Sequence, residues 1–314
     1  MKKKTKLYTI LTILLVVISS LMISFFYKGN FTFAQESDMV KKTISVNNED
    51  RVFFIYLPSK YKNETKKLPV VILLHGTVAT ADKIKNYTKF NSFADKNDII
   101  VVYPENTGTW DWDLKPAEKS KDIEFIRQMI STMETQYNVD NKRVYVTGYS
   151  SGAEMTYLLA CTLSDKIAAF APVCGNMREE YMQGCHNCKP VPMLLVHGTE
   201  DPYEKWNGDP NKKMLSVDDV LKYWKSKNKN EPSETKEFIY PHKDPNITAT
   251  TAKLEITDYP KDKTEVSILK IEGGGHTWPD SPTSVRIETF LGKTNYDVSA
   301  NEIIWDFFKR HKLN

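Results

Sequence analysis

A chain of 314 residues, 40% apolar and 26% charged, is long enough to bury a large core and too evenly mixed for a disordered, collagen-like or coiled-coil polymer. Its formal charge of +3 is concentrated at one end. Residues 1–34 hold Lys2, Lys3, Lys4, Lys6 and Lys28 and no acid; setting those five aside leaves 38 basic groups against 40 acidic. No basic domain remains to neutralise phosphates, so no nucleic-acid partner is expected.

The four leading lysines precede an uncharged run from Leu7 to Tyr27, long enough at about 1.5 Å per residue to cross a hydrocarbon layer of about 30 Å. The basic flank should stay cytoplasmic, which predicts export of everything after Lys28, to the cell surface or beyond. Thr32-Phe33-Ala34 offers small residues for a signal peptidase. Residues 1–34 are read as a signal peptide or an uncleaved anchor, with membrane contact only through residues 7–27 in the second case.

One domain is expected over residues 38–314. Strands are predicted at Thr43–Asn47, Val52–Leu57, Pro69–Leu74, Ile99–Tyr103, Arg143–Thr147, Ala168–Val173, Pro192–Val196 and Glu265–Ile271. Several are apolar on both faces, as strands of a covered parallel sheet must be. Between them, Ile123, Ile126, Ile130, Met133 and Tyr137 form the one-sided stripe of a surface helix. Residues 207–263 read as an irregular surface excursion or partial cover, containing one helix from Ser216 to Lys225. The last helix is expected to start at Ser299, with Glu302 completing a capping box and Val298 and Ile303 packing around it. Its Ile304, Trp305 and Phe308 should lie on the sheet. The alternation of strands and helices specifies an α/β domain with a mostly parallel sheet and an antiparallel start.

Export permits disulfides among Cys161, Cys174, Cys185 and Cys188, with three complete pairings. Joining Cys174 to Cys185 or Cys188 would staple one loop, leaving Cys161 as a buried thiol in a helix. Cys185-His186-Asn187-Cys188 lacks a second ligand pair at a zinc spacing, so neither a metal nor another cofactor is expected.

Gly148-Tyr149-Ser150-Ser151-Gly152 directly follows the strand Arg143–Thr147 and leads into a helical run. That context suits a nucleophile elbow, where serine sits on a tight strand-to-helix turn between glycines that let neighbouring chain pass. Ser150 is the candidate nucleophile and needs a base, together with an acid to orient it. Among six histidines, His276 stands out within Gly273-Gly274-Gly275-His276-Thr277-Trp278-Pro279, just after the last predicted strand. Asp201 in Gly198-Thr199-Glu200-Asp201-Pro202 is favoured over Glu200 as the acid because the following proline fixes it. Backbone N–H groups of Thr77, after His75-Gly76, and of Ser151 are assigned to stabilise charge on a reacting carbonyl oxygen. Trp110, Trp206 and Trp278 lie on the same predicted loops and are candidate substrate contacts.

With these residues in view, the chain resembles the exported esterase family of poly(3-hydroxybutyrate) depolymerases and related feruloyl and acetylxylan esterases. The resemblance runs from about Val52 onward. It is carried by Leu73-Leu74-His75-Gly76, Tyr137-Asn138-Val139-Asp140, Arg143 to Ser150, Ala171-Pro172-Val173, His197 to Pro202 and the glycine-rich His276 segment. It implies an α/β-hydrolase fold, a Ser150–Asp201–His276 triad, an oxyanion hole from the Thr77 and Ser151 amides, and hydrolysis of carboxylic esters through an acyl-enzyme. Family members often carry Cys where Thr77 stands, and a Pro-Tyr-Asn-Gly run where this chain reads Glu204-Lys205-Trp206-Asn207-Gly208. Depolymerases usually add a polymer-adsorbing module; its absence from this sequence points to a soluble or small oligomeric ester as the substrate. Two rival readings are a peptidase of the prolyl-oligopeptidase type and a catalytically silent binding protein on a hydrolase scaffold.

Overall fold

The computed structural model describes residues 38–314 except 78, 107, 112–119, 186–187, 229–233, 247–248 and 260–263. The amino-terminal segment 1–34 therefore lies outside the described residues. No helix among the described residues is long and apolar enough to cross a membrane.

Among the described residues, ten strands form one sheet: β1 (Val40–Val46), β2 (Glu49–Tyr56), β3 (Leu68–Leu74), β4 (Ile100–Pro104), β5 (Val139–Tyr149), β6 (Ala169–Val173), β7 (Met193–Gly198), β8 (Glu234–Ile239), β9 (Thr251–Tyr259) and β10 (Thr264–Glu272). Their order is β1-β2-β4-β3-β5-β6-β7-β10-β9-β8. The six from β4 to β10 in that order run parallel, while β1 and β2 enter antiparallel and β9 and β8 leave antiparallel. Among the described residues, eight α-helices carry the connections: α1 (Ala81–Thr88), α2 (Phe90–Asn97), α3 (Lys121–Gln136), α4 (Ser151–Thr162), α5 (Glu179–Gly184), α6 (Val217–Lys227), α7 (Val285–Leu291) and α8 (Ala300–Phe308).

The all-apolar strands have a direct explanation. In β3, Val70, Ile72 and Leu74 enter one buried cluster with Ile126, Met129 and Leu158, while Val71 and Leu73 enter another with Phe90, Ile304 and Phe308. Alternate residues therefore face different helical layers, and a polar residue on either side would lose its water.

Each of the eight predicted strands is present, five of them within a residue or two; β1 and β2 start three residues earlier than expected and β5 four, at Val139. The expected irregular excursion over 207–263 is not borne out as drawn. It contains the expected helix as α6, capped by the Ser216 hydroxyl accepting from the Asp219 N–H, and also β8 and β9, which extend the sheet. Ser299 does precede α8, but its side chain makes no capping hydrogen bond. The buried face of α8 is Ile304, Phe307 and Phe308 with Asn301, and Trp305 is only partly covered.

Cysteine pairing also differs from expectation. Cys161 at the end of α4 is bonded to Cys185 just after α5, with Cα atoms 4.6 Å apart, leaving Cys174 and Cys188 as free thiols. Helix α5 packs beside α4 and carries Cys185 to that position, a proximity that spacing along the chain does not encode.

Candidate active site

Sheet register gathers the candidate residues. Leu74 lies opposite Gly148, Tyr149 opposite Val173, Val173 opposite Val196, and Gly198 opposite Ile271. Because these strands are parallel, the loops after β3, β5, β6, β7 and β10 all emerge on one rim, the usual location of a site in an open α/β sheet.

Ser150 occupies the turn between β5 and α4 with φ 57° and ψ −121°. A non-glycine residue held there stores about 1–3 kcal/mol of strain. Its N–H donates to the Val173 carbonyl at 3.0 Å, and its own carbonyl accepts from Ala153 N at 2.7 Å, so both sides of the turn are fixed. The flanking glycines are required by close approach. A Cβ at Gly148 would collide with the Gly152 carbonyl, and one at Gly152 would sit 2.5 Å from the Leu74 oxygen. Ser151 opens α4, and neither its N–H nor that of Thr77 meets a backbone acceptor among the described residues. The β3 loop runs alongside, since a Cβ at Gly76 would be 3.2 Å from the Ser150 Cβ.

His276 Nδ1 lies 2.7 Å from Asp201 Oδ2, with both side chains almost fully buried. A carboxylate can only accept, so Nδ1–H donates and the neutral ring keeps its lone pair on Nε2. The other oxygen of Asp201 accepts the N–H groups of Tyr203 and Glu204, each at 2.9 Å. Glu200, the alternative acid, is exposed and contributes its backbone N–H to the Gly274 carbonyl. Tyr149, next to Ser150, donates its hydroxyl to the His276 carbonyl at 2.6 Å and packs its ring 5.0 Å from the imidazole. The Ser150 and His276 segments are thereby tied together. Among the described residues, Ser150 Oγ makes no hydrogen bond, which is common before substrate arrives.

The three tryptophans separate. Trp110 is 2% exposed, packs its ring at a tilt against His75 and donates Nε1–H to the His75 carbonyl at 2.8 Å. Trp278 is 1% exposed and donates to Asn301 Oδ1 at 3.0 Å. Both shape the rim from behind, with no free face for a substrate. Trp206 is half-buried between His197 and Lys270 and bonds Asp218, so it alone of the three stays near the surface of the rim.

Several nearby residues were assigned no catalytic role from the sequence. Tyr203, 43% exposed, meets the His276 ring edge-on at 5.4 Å. His197 donates its Nε2–H to the Glu204 carbonyl at 2.7 Å, and burial pushes its pKa down against the opposing pull of Asp201. Burial raises Glu204, whose carboxylate accepts from Asn176 N at 3.2 Å. Burial, reinforced by Glu204 and opposed by Arg178, pushes Glu154 up to about 7. Arg178 reaches it with Nε at 3.0 Å. Glu154 had a legible signal: it is the one charged residue in the otherwise buried, apolar helix α4.

Residues 52–182 match the family model described as Esterase PHB depolymerase. That match covers less than half of the chain and shows a likeness to these esterases. The chain is 30% identical over 260 residues to the bifunctional acetylxylan esterase/xylanase XynS20E of Neocallimastix patriciarum, covering 82% of this chain and 33% of that protein. It is 25% identical to the putative esterase NocK of Nocardia uniformis subsp. tsuyamanensis, covering 76% and 73% respectively. The chain thus spans about a third of the length of the first of these relatives. The solved acetyl xylan esterase from Aspergillus awamori superposes with a TM-score of 0.57 at 16% identity, covering 86% of this chain and 99% of that one. This likeness shows the α/β-hydrolase fold.

Proposed function

We propose that this esterase relative is an exported serine hydrolase of carboxylic esters, acting through an acyl-enzyme on Ser150. His276 Nε2 takes the Ser150 proton as Oγ attacks the ester carbonyl. Asp201, fixed by two amides, holds the imidazole in the tautomer with its proton on Nδ1 and stabilises the cation that forms. The Thr77 and Ser151 N–H groups face the oxygen on which charge develops, each worth about 3–4 kcal/mol in such a role. His276 then protonates the departing alcohol, and water, activated by the same nitrogen, releases the acid. The reaction needs no cofactor in this scheme.

The observation that carries the reading is the buried Asp201–His276 pair at 2.7 Å on the rim that also holds Ser150 in strained backbone geometry. Relatives named for acetylxylan and feruloyl ester hydrolysis favour an acetyl or an aromatic acyl group on a soluble or oligomeric alcohol, with Trp206 and Tyr203 beside it. Residues 1–34 would direct the domain out of the cytoplasm.

Ser150→Ala should lower turnover of p-nitrophenyl acetate by about a millionfold, and a fluorophosphonate should label only the wild type. Full activity in that variant would remove Ser150 from the chemistry. Absence of labelling in the wild type would support a silent scaffold instead. A panel of acetylated sugars, feruloyl esters, hydroxybutyrate oligomers and peptide amides then assigns the substrate class and tests the peptidase alternative.

A further inference from the structure

We propose that Cys174, Asp201 and His276 form an inhibitory site for a thiophilic divalent cation, zinc or its softer analogue cadmium. One donor atom from each residue lies within 4.8 Å of the other two, and all three residues are buried. Cys174 sits at the end of β6 with φ 51°, a conformation that costs energy for a non-glycine residue. Its Sγ is directed at the segment that carries His276, donating to the Thr277 carbonyl at 3.2 Å. Thiolate, imidazole and carboxylate together make a mixed S, N and O donor set that suits a tetrahedral d¹⁰ ion. The charges also close: a thiolate and a carboxylate neutralise a divalent cation.

Binding releases one proton, from the thiol. If the ion takes His276 Nε2, it occupies the lone pair that would accept the serine proton. If it takes Nδ1, the proton there transfers to Nε2, which becomes a donor. Either way the imidazole loses its basic nitrogen, so occupancy and hydrolysis exclude each other. The inhibitory part of this proposal rests on the triad reading above; the metal site itself does not.

The test uses cadmium on the purified protein with preincubation, reading two quantities. The ultraviolet charge-transfer band of a cadmium–thiolate bond should rise to one ion per chain, and ester hydrolysis should fall in parallel and recover with EDTA. Cys174→Ser should abolish the band and weaken inhibition, relative to its own metal-free rate, by at least about tenfold, since even outer-shell changes weaken metal sites that much. Cys188→Ser, which removes the other free thiol, should keep both. No band in the wild type, a band that survives Cys174→Ser, or one that disappears in Cys188→Ser would overturn the site. If Cys174→Ser does not fold, the Cys188→Ser comparison still decides. A normal band with unimpaired hydrolysis would keep the metal site and overturn the triad reading.

Discussion

Glu154 follows Ser150 by one helical turn, is 6% exposed, and has its carboxyl pushed from 4.5 up to about 7, chiefly by burial. A carboxyl whose value is higher in the folded than in the unfolded chain holds its proton more tightly in the native state. Its contribution to stability is therefore fully present below about pH 4.5 and is lost as pH rises through about 7. At about 1.4 kcal/mol per pH unit, the loss across that interval is on the order of 3 kcal/mol. Glu154→Gln preserves size and still accepts a hydrogen bond from Arg178, but cannot ionise. Urea unfolding of both proteins between about pH 4.5 and 8 should show the variant gaining on the wild type by roughly 3 kcal/mol, then levelling off. A difference that stays constant across that range would refute the reasoning, because it would mean that Arg178 keeps Glu154 ionised throughout despite its burial.

Asp201→Asn should leave folding largely intact, because the two amides at Oδ1 can still be accepted by the Asn oxygen. It would place an NH₂ against His276 Nδ1 and force the wrong tautomer. Turnover should then fall by about 10⁴-fold in p-nitrophenyl ester kinetics, and a loss below about tenfold would argue against an orienting carboxylate. Replacing Cys161 and Cys185 together by serine frees a 24-residue separation from its closure, with an expected cost of about 3 kcal/mol in chemical denaturation. An unchanged midpoint would show that the bond adds nothing to stability.

The most local features were the most legible. An elbow is written into consecutive residues, since Gly148 and Gly152 are dictated by chain passing within a few ångström of the turn. Strands β3, β6 and β7 announce themselves because both their faces are buried, and continuous apolar runs follow from that. By contrast, β8 carries Thr235, Lys236 and Glu237 with Phe238 and Ile239, all exposed, so no alternation marks it. Its backbone pairing with β9 makes it a strand. Asn97, Asp98 and Lys89 offer only weak stops for the short helices α1 and α2, which escaped notice for the same reason: local composition barely distinguishes them from loop.

Residue types and order along the chain determined the sheet class, the elbow, and the short menu of candidate acids and bases. Tertiary structure decided which members of that menu meet. It buried Asp201 and left Glu200 in solvent, paired Cys161 with Cys185, turned Trp110 and Trp278 into supports, and brought Arg178 and Glu204 to Glu154. The physical reason is that burial and pairing depend on which loops share the sheet's rim. That sharing comes from register between strands up to 74 residues apart, not from neighbours along the chain.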